Sequence, residues 1–416
     1  MNAQLETEHF TFDPKDTDLI VRPAELFAQI RESGGAHFEL STGRLHVFTH
    51  AGALATLRGK DGSMRWKESQ SRRLGRDAGH EPYVRAFTDF LDMKTGDDHR
   101  RVRQVLSRHF RPGRVDALRP AIERRAHAIV DAFPDSGSVE LMEAFAKKLP
   151  LGTISELLGI SEQDRHVIAG HLRHFKLVFQ FMPLRDDVLA ELNAGMGDVT
   201  NFFSNLIAER RTSLSDDLLS DLIRETDAGR LTSEELLANT WGLFAGGFDT
   251  TAAATLNAVL TLTEHPEQLK LLMDDWSLLP NAVEECLRFD GPGGGALRIF
   301  DEDQQIEGVL VPAGTPVVAY KQAANLDPAW LADAETFDIT RAPSQHLSFG
   351  EGVHKCLGLH LAKVTIGVAV QTLFSRLDGL RVARDGVRWE LDALPLRNPD
   401  RLQVEWDSRT ARAAEE

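Results

Sequence analysis

Along most of the chain, apolar positions recur at three- and four-residue intervals between charged ones, the pattern of amphipathic helices. The pattern is clearest over residues 122–133, 161–178 and 186–211. Helix is therefore predicted to dominate the fold.

Short strands are predicted where β-branched residues alternate or cluster between Gly and Pro turns, at residues 45–48, 305–311 and 317–320. The polar, glycine-containing stretches 227–230 and 291–295 are too short to separate independent domains. We therefore expect a mainly α fold with small β-sheets, in which residues 1–416 form a single domain with short flexible termini.

The longest predicted element lies near the middle of the chain. Thr232 and Glu235 have the spacing of a capping box, and the helical pattern continues until Pro266. At 1.5 Å per residue this central helix is about 50 Å long, enough to cross a whole domain.

The middle of this helix has an unusual composition. Gly246 and Gly247 precede Asp249-Thr250-Thr251 in an otherwise apolar portion, and each glycine costs about 1 kcal/mol relative to alanine. Two interpretations remain open, close packing against another helix or close approach by a flat ligand.

Composition and charge exclude several classes. The 42% hydrophobic content over 416 residues is too high for a disordered chain. The 63 acidic against 47 basic side chains give a net charge of −16, which disfavours nucleic acid as a partner.

Targeting signals and cysteines also inform the prediction. No apolar run is long enough for a membrane span, and the acidic N-terminus does not resemble a secretion signal, so a cytoplasmic protein is expected. Two cysteines, Cys286 and Cys356, are too few for a disulfide framework and are expected to be reduced.

The most informative segment is HLSFGEGVHKCLGLHLAKVTIG, residues 346–367. Its glycines allow a tight backbone fold, so that N–H groups can point at a sulfur near the start of a helix. Such donors and the helix dipole stabilise a thiolate, which can ligate iron. The residues that fit the pattern FxxGxHxCxG are Phe349, Gly352, His354, Cys356 and Gly358, with Gly350 as an additional glycine.

Other interpretations of a single cysteine must be weighed. It is most often a small buried hydrophobe, which is the preferred interpretation of Cys286 in the helical segment AVEECLR. A nucleophilic cysteine needs a partner base, and zinc needs further close ligands. Cys286 and the sparse histidines do not complete a zinc site convincingly.

With this segment the chain resembles the cytochrome P450 family, and the resemblance extends from about His99 to Trp406. It implies the P450 fold, one domain enclosing haem b, with Cys356 as the thiolate ligand of the iron and Phe349 beside the sulfur. Thiolate donation favours O–O cleavage at such an iron.

Two further segments match the family in the expected order. The central segment Gly246–Thr251 is similar to (A/G)Gx(D/E)T(T/S), which lies over the distal face of the haem in the family. Glu285 and Arg288 are similar to the structural ExxR pair on the proximal side. ExxR alone is a weak signal, because any charged helix can contain it.

The resemblance also implies which cations neutralise the haem propionates. His99 and Arg103 are predicted at positions i and i+4 of one helix face, and Arg298 and His346 are the remaining expected partners. A solvated basic face is the preferred interpretation of Arg100, Arg101 and Arg108.

One position departs from the family pattern. Many relatives have an arginine that completes a triad with the ExxR pair, where this chain has Thr336. Either Arg341, five residues further on, supplies the missing positive charge, or the side chains of this region are arranged differently.

The resemblance implies monooxygenation of an apolar small molecule, with secondary metabolism as the expected setting. Asp249 and Thr250 would deliver protons to iron-bound dioxygen, since a hydroxyl can hold a water and a carboxylate can link it to bulk donors. The alternatives are a peroxide-driven peroxygenase, which typically lacks this acid–alcohol pair, and a non-catalytic haem sensor or carrier.

Electrons are expected from a separate protein, because no GxGxxG fingerprint for a bound flavin or NAD is visible. A ferredoxin or flavodoxin with its reductase is the expected donor, and the enzyme is expected to be a monomer. Lys355, Arg108, Arg111 and Arg114 are predicted to form a basic patch on an otherwise acidic surface.

The resemblance places the substrate pocket in several segments, 72–90, 175–182, 293–297 and 394–397. The triple glycine at 293–295 either enlarges the cavity or loosens the loop, and an ordinary core role competes for Phe175, Phe179 and Phe181. The pocket residues expected are Leu243, Phe244, Phe248, Gly294, Leu297 and Leu396.

Overall fold

The protein was analysed as a computed structural model that describes residues 12–40, 42–59, 62–170, 178, 184–391 and 396–411. It is mainly α with small β-sheets, as predicted. The helices are α1 (Asp18–Val21), α2 (Pro23–Glu32), α3 (His50–Arg58), α4 (Trp66–Leu74), α5 (Pro82–Thr88), α6 (Gly96–Ser107), α7 (Pro112–Asp116), α8 (Arg119–Asp131), α9 (Lys148–Leu158), α10 (Glu162–Ala169), α11 (Asp186–Thr212), α12 (Leu218–Asp227), α13 (Ser233–Glu264), α14 (Pro266–Asp274), α15 (Leu279–Asp290), α16 (Lys321–Asn325) and α17 (Leu359–Arg376).

The strands are short and scattered along the chain. They are β1 (Ala36–Glu39), β2 (Arg44–Val47), β3 (Gly137–Glu140), β4 (Gly295–Ile299), β5 (Gln304–Ile306), β6 (Val309–Val311), β7 (Pro316–Tyr320), β8 (Leu377–Asp378), β9 (Arg381–Trp389), β10 (Pro399–Trp406) and β11 (Ser408–Arg409).

The chain divides into two compact units. The first contains the residues up to Gly62, Leu118–Leu149 and Thr250 onward, and the second contains Ser63–Ala117 and Pro150–Asp249. The division falls inside α13.

The first unit is built on a four-stranded sheet in the order β1-β2-β7-β4. β2 and β7 are parallel, whereas β1 and β4 pair antiparallel to their neighbours. Apolar side chains from β2, β7 and the β5–β6 hairpin form one buried core cluster. The register pairs Arg298 of β4 with Val317 of β7, which fixes the position of that arginine in the sheet.

The second unit packs α11 against α5 and α5 against α4. An aromatic cluster joins these elements, with the Phe87 ring 5.3 Å from Trp66 and 4.6 Å from Trp241 of α13 between centroids. The Trp66 indole donates to the Val84 carbonyl at 2.9 Å, so its polar atom is satisfied in the apolar surroundings.

The central helix α13 confirms the prediction from its capping box. The Thr232 N–H donates to Glu235 at 3.0 Å, and the Glu235 N–H donates to the Thr232 hydroxyl at 3.1 Å. The helix spans 32 residues without interruption at Gly246 and Gly247, and Pro266 begins the next helix.

The extended stretch predicted at 305–311 forms a small two-stranded sheet, the hairpin of β5 and β6. Glu307 and Gly308 have φ of 52° and 73°, so the chain reverses between two three-residue strands. Gly308 supplies this conformation without steric cost. No described helix is long and apolar enough to cross a membrane.

Candidate active site

A loop of thirteen residues, His346–Gly358, leads into α17 and is called the cysteine loop below. It carries Cys356 in an exposed position. The Cys356 N–H donates to the Phe349 carbonyl at 2.8 Å, and this hydrogen bond closes the loop. Cys356 lies two residues before Gly358, the N-cap residue of α17. The thiol is therefore held at the start of a helix, as predicted.

Two glycines in this loop adopt left-handed backbone conformations. Gly350 has φ 69° and Gly352 has φ 75°, a region that glycine enters at little cost. A Cβ on Gly352 would also lie 2.7 Å from the Leu57 carbonyl oxygen of α3. Glycine at 352 is required by both conformation and packing.

The cysteine loop is anchored to α15 and α16 by two polar side chains. The Ser348 hydroxyl donates to the Leu287 carbonyl at 2.6 Å, and the Asn325 amide donates to Ser348 at 2.8 Å. The Leu347 N–H donates to the Asn325 side chain at 2.6 Å. Sequence reasoning missed Asn325, since nothing near it in the chain signals this contact.

Glu285 and Arg288 form a buried two-point ion pair on α15. The Nε–Oε2 and Nη2–Oε1 distances are both 2.7 Å. Arg288 has no exposed side-chain surface and also donates to the carbonyls of Asn325 and Ala334, at 2.9 and 2.6 Å. A buried arginine is tolerated here because its donors are satisfied.

The departure at Thr336 is resolved by Arg341. Arg341 Nε lies 3.3 Å from Glu285 Oε1, so Arg341 supplies the second positive charge. Thr336 contributes its backbone carbonyl, which accepts from Arg288 at 3.1 Å and from Arg341 at 3.0 Å. Compensation by Arg341 is therefore confirmed.

The second cysteine is buried. Cys286 is 4% exposed, and burial raises the pKa of its thiol. Its predicted core role is confirmed.

Arg298 and His346 both lie in the first unit and are buried. Arg298 Nη1 donates to the Leu297 carbonyl at 2.8 Å. His346 Nε2 lies 3.0 Å from Glu284 Oε2, and its Nδ1 lies 3.3 Å from the Ser348 N–H. Glu284 was not singled out from the sequence.

His99 and Arg103 occupy one face of α6 in the second unit, at positions i and i+4 as predicted. His99 is 3% exposed and Arg103 is half-buried. The flanking Arg100 pairs with Asp97 of the same helix and Arg108 with Glu225.

Arg101 corrects the prediction of a solvated basic face. Its two Nη atoms each lie 2.8 Å from an oxygen of Glu235, which is buried at the start of α13. The interpretation was wrong because the partner is far away in the sequence.

Glu235 collects several donors around one carboxylate. Besides Arg101 and the Thr232 N–H, Lys94 Nζ lies 3.2 Å from Oε1. Burial opposes ionisation of Glu235, but the hydrogen bonds from Arg101, Thr232 and Lys94 outweigh it and lower its pKa to about 2.

The glycine pair of α13 is not explained by protein packing. Among the described residues, a Cβ on Gly246 would have no neighbour within 4 Å, and one on Gly247 would lie in ordinary contact with Ile154, at 3.4 Å. By contrast, a Cβ on Gly242 would lie 2.4 Å from the Phe90 ring. Packing thus requires Gly242, which the sequence analysis did not single out, whereas the opening at Gly246 favours approach by a ligand.

The acid and alcohol of α13 follow this opening. Asp249 is half-buried and Thr250 is exposed. Thr251 is buried, and its carbonyl accepts from the Thr255 hydroxyl at 2.9 Å within the helix. Of the two adjacent threonines, Thr250 is thus the more exposed.

The predicted pocket residues differ in burial. Phe244 and Phe248 are buried, and the Phe244 ring lies 5.8 Å from Phe203. Leu243 and Leu396 are half-buried, whereas Gly294 and Leu297 are buried. Phe175, Phe179, Phe181 and the start of the 394–397 segment lie outside the described residues.

The predicted basic residues are largely engaged with carboxylates. Lys355 pairs with Glu351 at 3.0 Å, and Arg114 lies 3.7 Å from Asp221. Arg111 is exposed. The basic charge around these residues is therefore partly compensated.

The residues present fit a haem group. A haem needs one strong protein ligand, which the exposed Cys356 of the first unit offers. In the second unit, a Cβ on Gly246 would have no described neighbour within 4 Å, which suits a flat ligand. Within the described part of the chain, no cluster of three or more His, Cys, Asp or Glu side chains is arranged to hold a metal ion.

Comparison with known proteins agrees with this fit. Residues 67–387 match the family model described as cytochrome P450. The chain is 35% identical to a putative cytochrome P450 133B1 of Xylella fastidiosa over 327 residues, which cover 78% of this chain and 81% of that relative. It is 37% identical to the 6-deoxyerythronolide B hydroxylase of Saccharopolyspora erythraea over 322 residues, covering 76% and 78%.

Solved structures show the same fold. The crystal structure of P450BioI, in complex with an acyl carrier protein ligated to hexadec-9Z-enoic acid, has a TM-score of 0.86 at 28% identity and covers 94% of this chain and 100% of that one. The crystal structure of CalO2 has a TM-score of 0.88 at 26% identity, covering 96% and 99%. The chain belongs to the cytochrome P450 family of haem-thiolate monooxygenases.

Proposed function

We propose that the protein binds haem b through the Cys356 thiolate and inserts one oxygen atom of O2 into an apolar small molecule. The observation that carries this proposal is the exposed Cys356 thiol, held by its N–H to the Phe349 carbonyl at the start of α17. Haem, when bound, supplies the iron at which dioxygen is reduced, and thiolate donation favours O–O cleavage. The family match over residues 67–387 supports one catalytic domain.

His99, Arg103, Arg298 and His346 would bind the haem propionates. The burial of His99 and Arg298 supports this role, because buried cationic or hydrogen-bonding groups are stabilised by an anionic partner. His346 would have to exchange one of its contacts with Glu284 and Ser348 for the propionate. Phe349, Gly350 and Gly358 would shape the loop around the sulfur, and Gly246 would leave room for the porphyrin.

Asp249 and Thr250 would move protons on the opposite side of the haem. The Thr250 hydroxyl can donate one hydrogen bond while accepting another, so it can hold a water in position. Asp249 would take protons from solvent and pass them toward that water. Their exposure, half-buried and exposed respectively, supports exchange with solvent.

The substrate would be an apolar small molecule of secondary metabolism. Two similar proteins are named 6-deoxyerythronolide B hydroxylase and mycinamicin IV hydroxylase/epoxidase, which supports this class. Substrate contacts are assigned to Leu243, Phe244, Phe248, Gly294, Leu297 and Leu396.

Electrons would come from a ferredoxin or flavodoxin with its own reductase. The exposed Arg111, together with Lys355, Arg108 and Arg114, would attract such an acidic partner despite the net charge of −16. An ionic-strength series tests this, since electrostatic docking should slow as salt rises. Electron-transfer rates that do not change with salt would contradict it.

The proposed activity is tested by spectroscopy and turnover. The reduced, CO-bound holoenzyme should show the absorbance of thiolate-ligated haem, and Cys356→Ser should lose it. Cys286→Ala is the matched control and should keep it, because Cys286 is a buried core residue. Turnover should need an electron-donor system, and efficient turnover with peroxide alone would instead indicate a peroxygenase.

A further inference from the structure

An ion pair outside the expected haem contacts lies behind the cysteine loop. Lys363 of α17 is paired with Glu284 Oε1 of α15, and its Nζ lies 5.5 Å from the centre of the Phe349 ring. Both side chains of the pair are less than one third exposed, at 28% and 31%. No sequence motif suggested this arrangement.

The carboxylate of Glu284 is shared between two partners. Oε1 binds Lys363 and Oε2 binds His346 Nε2 at 3.0 Å. Burial opposes ionisation of Glu284, but hydrogen bonds from His346 and Lys363 outweigh it and hold its pKa below the ordinary value. Glu284 is therefore an anion that balances the Lys363 cation.

Phe349 connects this pair to the cysteine. One face of its ring lies near the Lys363 ammonium, as in cation–π contacts. Its carbonyl accepts the hydrogen bond from the Cys356 N–H at 2.8 Å. The pair therefore lies close behind the residue that holds the thiol in place.

We propose that the Glu284–Lys363 pair is a charge-balanced positioning element that holds the reduction potential of the iron bound to Cys356 near the value it would have with neither charge present. This inference rests on the proposed function. Reduction of the iron adds one negative charge to the site, so a nearby cation favours the reduced form and a nearby anion favours the oxidised form. With both charges present the two effects on the potential nearly cancel. Removing one side chain leaves the charge of the other uncompensated.

The expected result is a pair of opposite shifts. In the substrate-free holoenzyme, Lys363→Met leaves the Glu284 charge and makes the potential more negative, whereas Glu284→Gln leaves the Lys363 charge and makes it more positive. Each change should alter the ferric/ferrous equilibrium constant by roughly 3- to 20-fold, the size expected for one uncompensated unit charge near the site in a protein. Spectroelectrochemical titration measures it.

Further variants separate charge from packing. Lys363→Arg should keep the wild-type reduction potential. Lys363→Glu should make the potential more negative than Lys363→Met does. In the Lys363→Met/Glu284→Gln double variant, the potential should return toward the wild-type value. Lys270→Met is the matched control, because Lys270 forms an exposed i,i+4 pair with Asp274 on α14. It should leave the potential unchanged.

The outcomes distinguish this inference from the proposed function. If the wild type lacks the CO spectrum of thiolate-ligated haem, the proposed function fails. If that spectrum is present but the Lys363 variants keep the wild-type potential, or both single variants shift it in the same direction, the inference is overturned. Glu284→Gln also disturbs His346 and could therefore lose haem. In that case the potentials of the Lys363 variants are sufficient to test the inference.

Discussion

Arg101 of α6 and Glu235 of α13 form a two-point ion pair across 134 residues of sequence, with both Nη–Oε distances at 2.8 Å. Glu235 is at the same time the acidic member of the capping box of α13, where it accepts from the Thr232 N–H. The pair thus fastens α6, which carries His99 and Arg103, to the beginning of the central helix.

Glu235→Ala should lower the free energy of unfolding by about 2–4 kcal/mol, because it removes a buried carboxylate from two cations and from the capping box. Urea unfolding measures the change. Asp98→Asn is the control, since Asp98 contacts Arg101 at an exposed position, 69% accessible, and should cost less than about 0.5 kcal/mol. Equal losses in the two variants would contradict a special role for Glu235.

Acid should selectively remove the contribution of Glu235. Its pKa of about 2 in the folded protein lies below the ordinary value of 4.5, so its stabilisation is present above pH 4.5 and is lost as pH falls toward 2. The difference in free energy of unfolding between wild type and Glu235→Gln should therefore shrink between these two pH values. A difference that stays constant from pH 5 to pH 3 would refute the assignment.

Arg341→Met should destabilise the protein by about 1–3 kcal/mol, because Glu285 loses the second cation that Thr336 does not provide. Introducing Thr336→Arg into the Arg341→Met variant should recover part of that loss, while Thr336→Arg alone should gain little. Chemical denaturation of all three variants tests this, with the exposed Arg388 of the Arg388–Asp400 pair as the control position. A neutral Arg341→Met would show that the Glu285–Arg288 pair suffices.

Gly242→Ala and Gly246→Ala should have different effects although both glycines lie in α13. The new methyl at 242 would collide with the Phe90 ring, so this variant should lose about 1–3 kcal/mol of stability. The methyl at 246 meets no described protein atom, so the haem-free protein should be unchanged or more stable by up to about 1 kcal/mol.

The binding of haem or of an iron ligand should show the reverse order. Gly246→Ala should weaken imidazole binding to the ferric holoenzyme, as measured by the Soret shift, because the methyl projects into the space assigned to the ligand. Gly242→Ala should leave that affinity unchanged in the folded fraction. Unaltered imidazole affinity in Gly246→Ala would remove the support for this assignment.

Thr250→Ala should uncouple electron consumption from product formation, because the hydroxyl that holds a proton-donating water is lost. NAD(P)H consumption should continue while the yield of product per electron pair falls several-fold and peroxide accumulates. Thr263→Ala, near the end of the same helix, serves as the control, since its hydroxyl only bonds carbonyls of its own helix. Unchanged coupling in Thr250→Ala would show that the assigned role is wrong.

The sequence predicted those features that depend on neighbours in the chain. The capping box at Thr232 and the stop at Pro266 bound α13 through local interactions, and the cysteine loop depends on closely spaced glycines. The partner of Arg101 could not be predicted, because the sequence contains many carboxylates and only folding brings Glu235 beside it. The same holds for Asn325 under the cysteine loop and for Glu284 beside Lys363, whose positions depend on how α15, α16 and α17 pack.

Because Cys286 is buried and Cys356 is exposed, the two thiols should differ in reactivity toward alkylating reagents. Cys286 lies in the core, where burial raises the pKa of its thiol, so electrophiles such as maleimides react poorly with it. Cys356, the proposed ligand of the iron, is exposed. Alkylation of the folded chain should therefore modify Cys356 selectively, and protection of this sulfur from alkylation by added haem would report the proposed iron ligation directly.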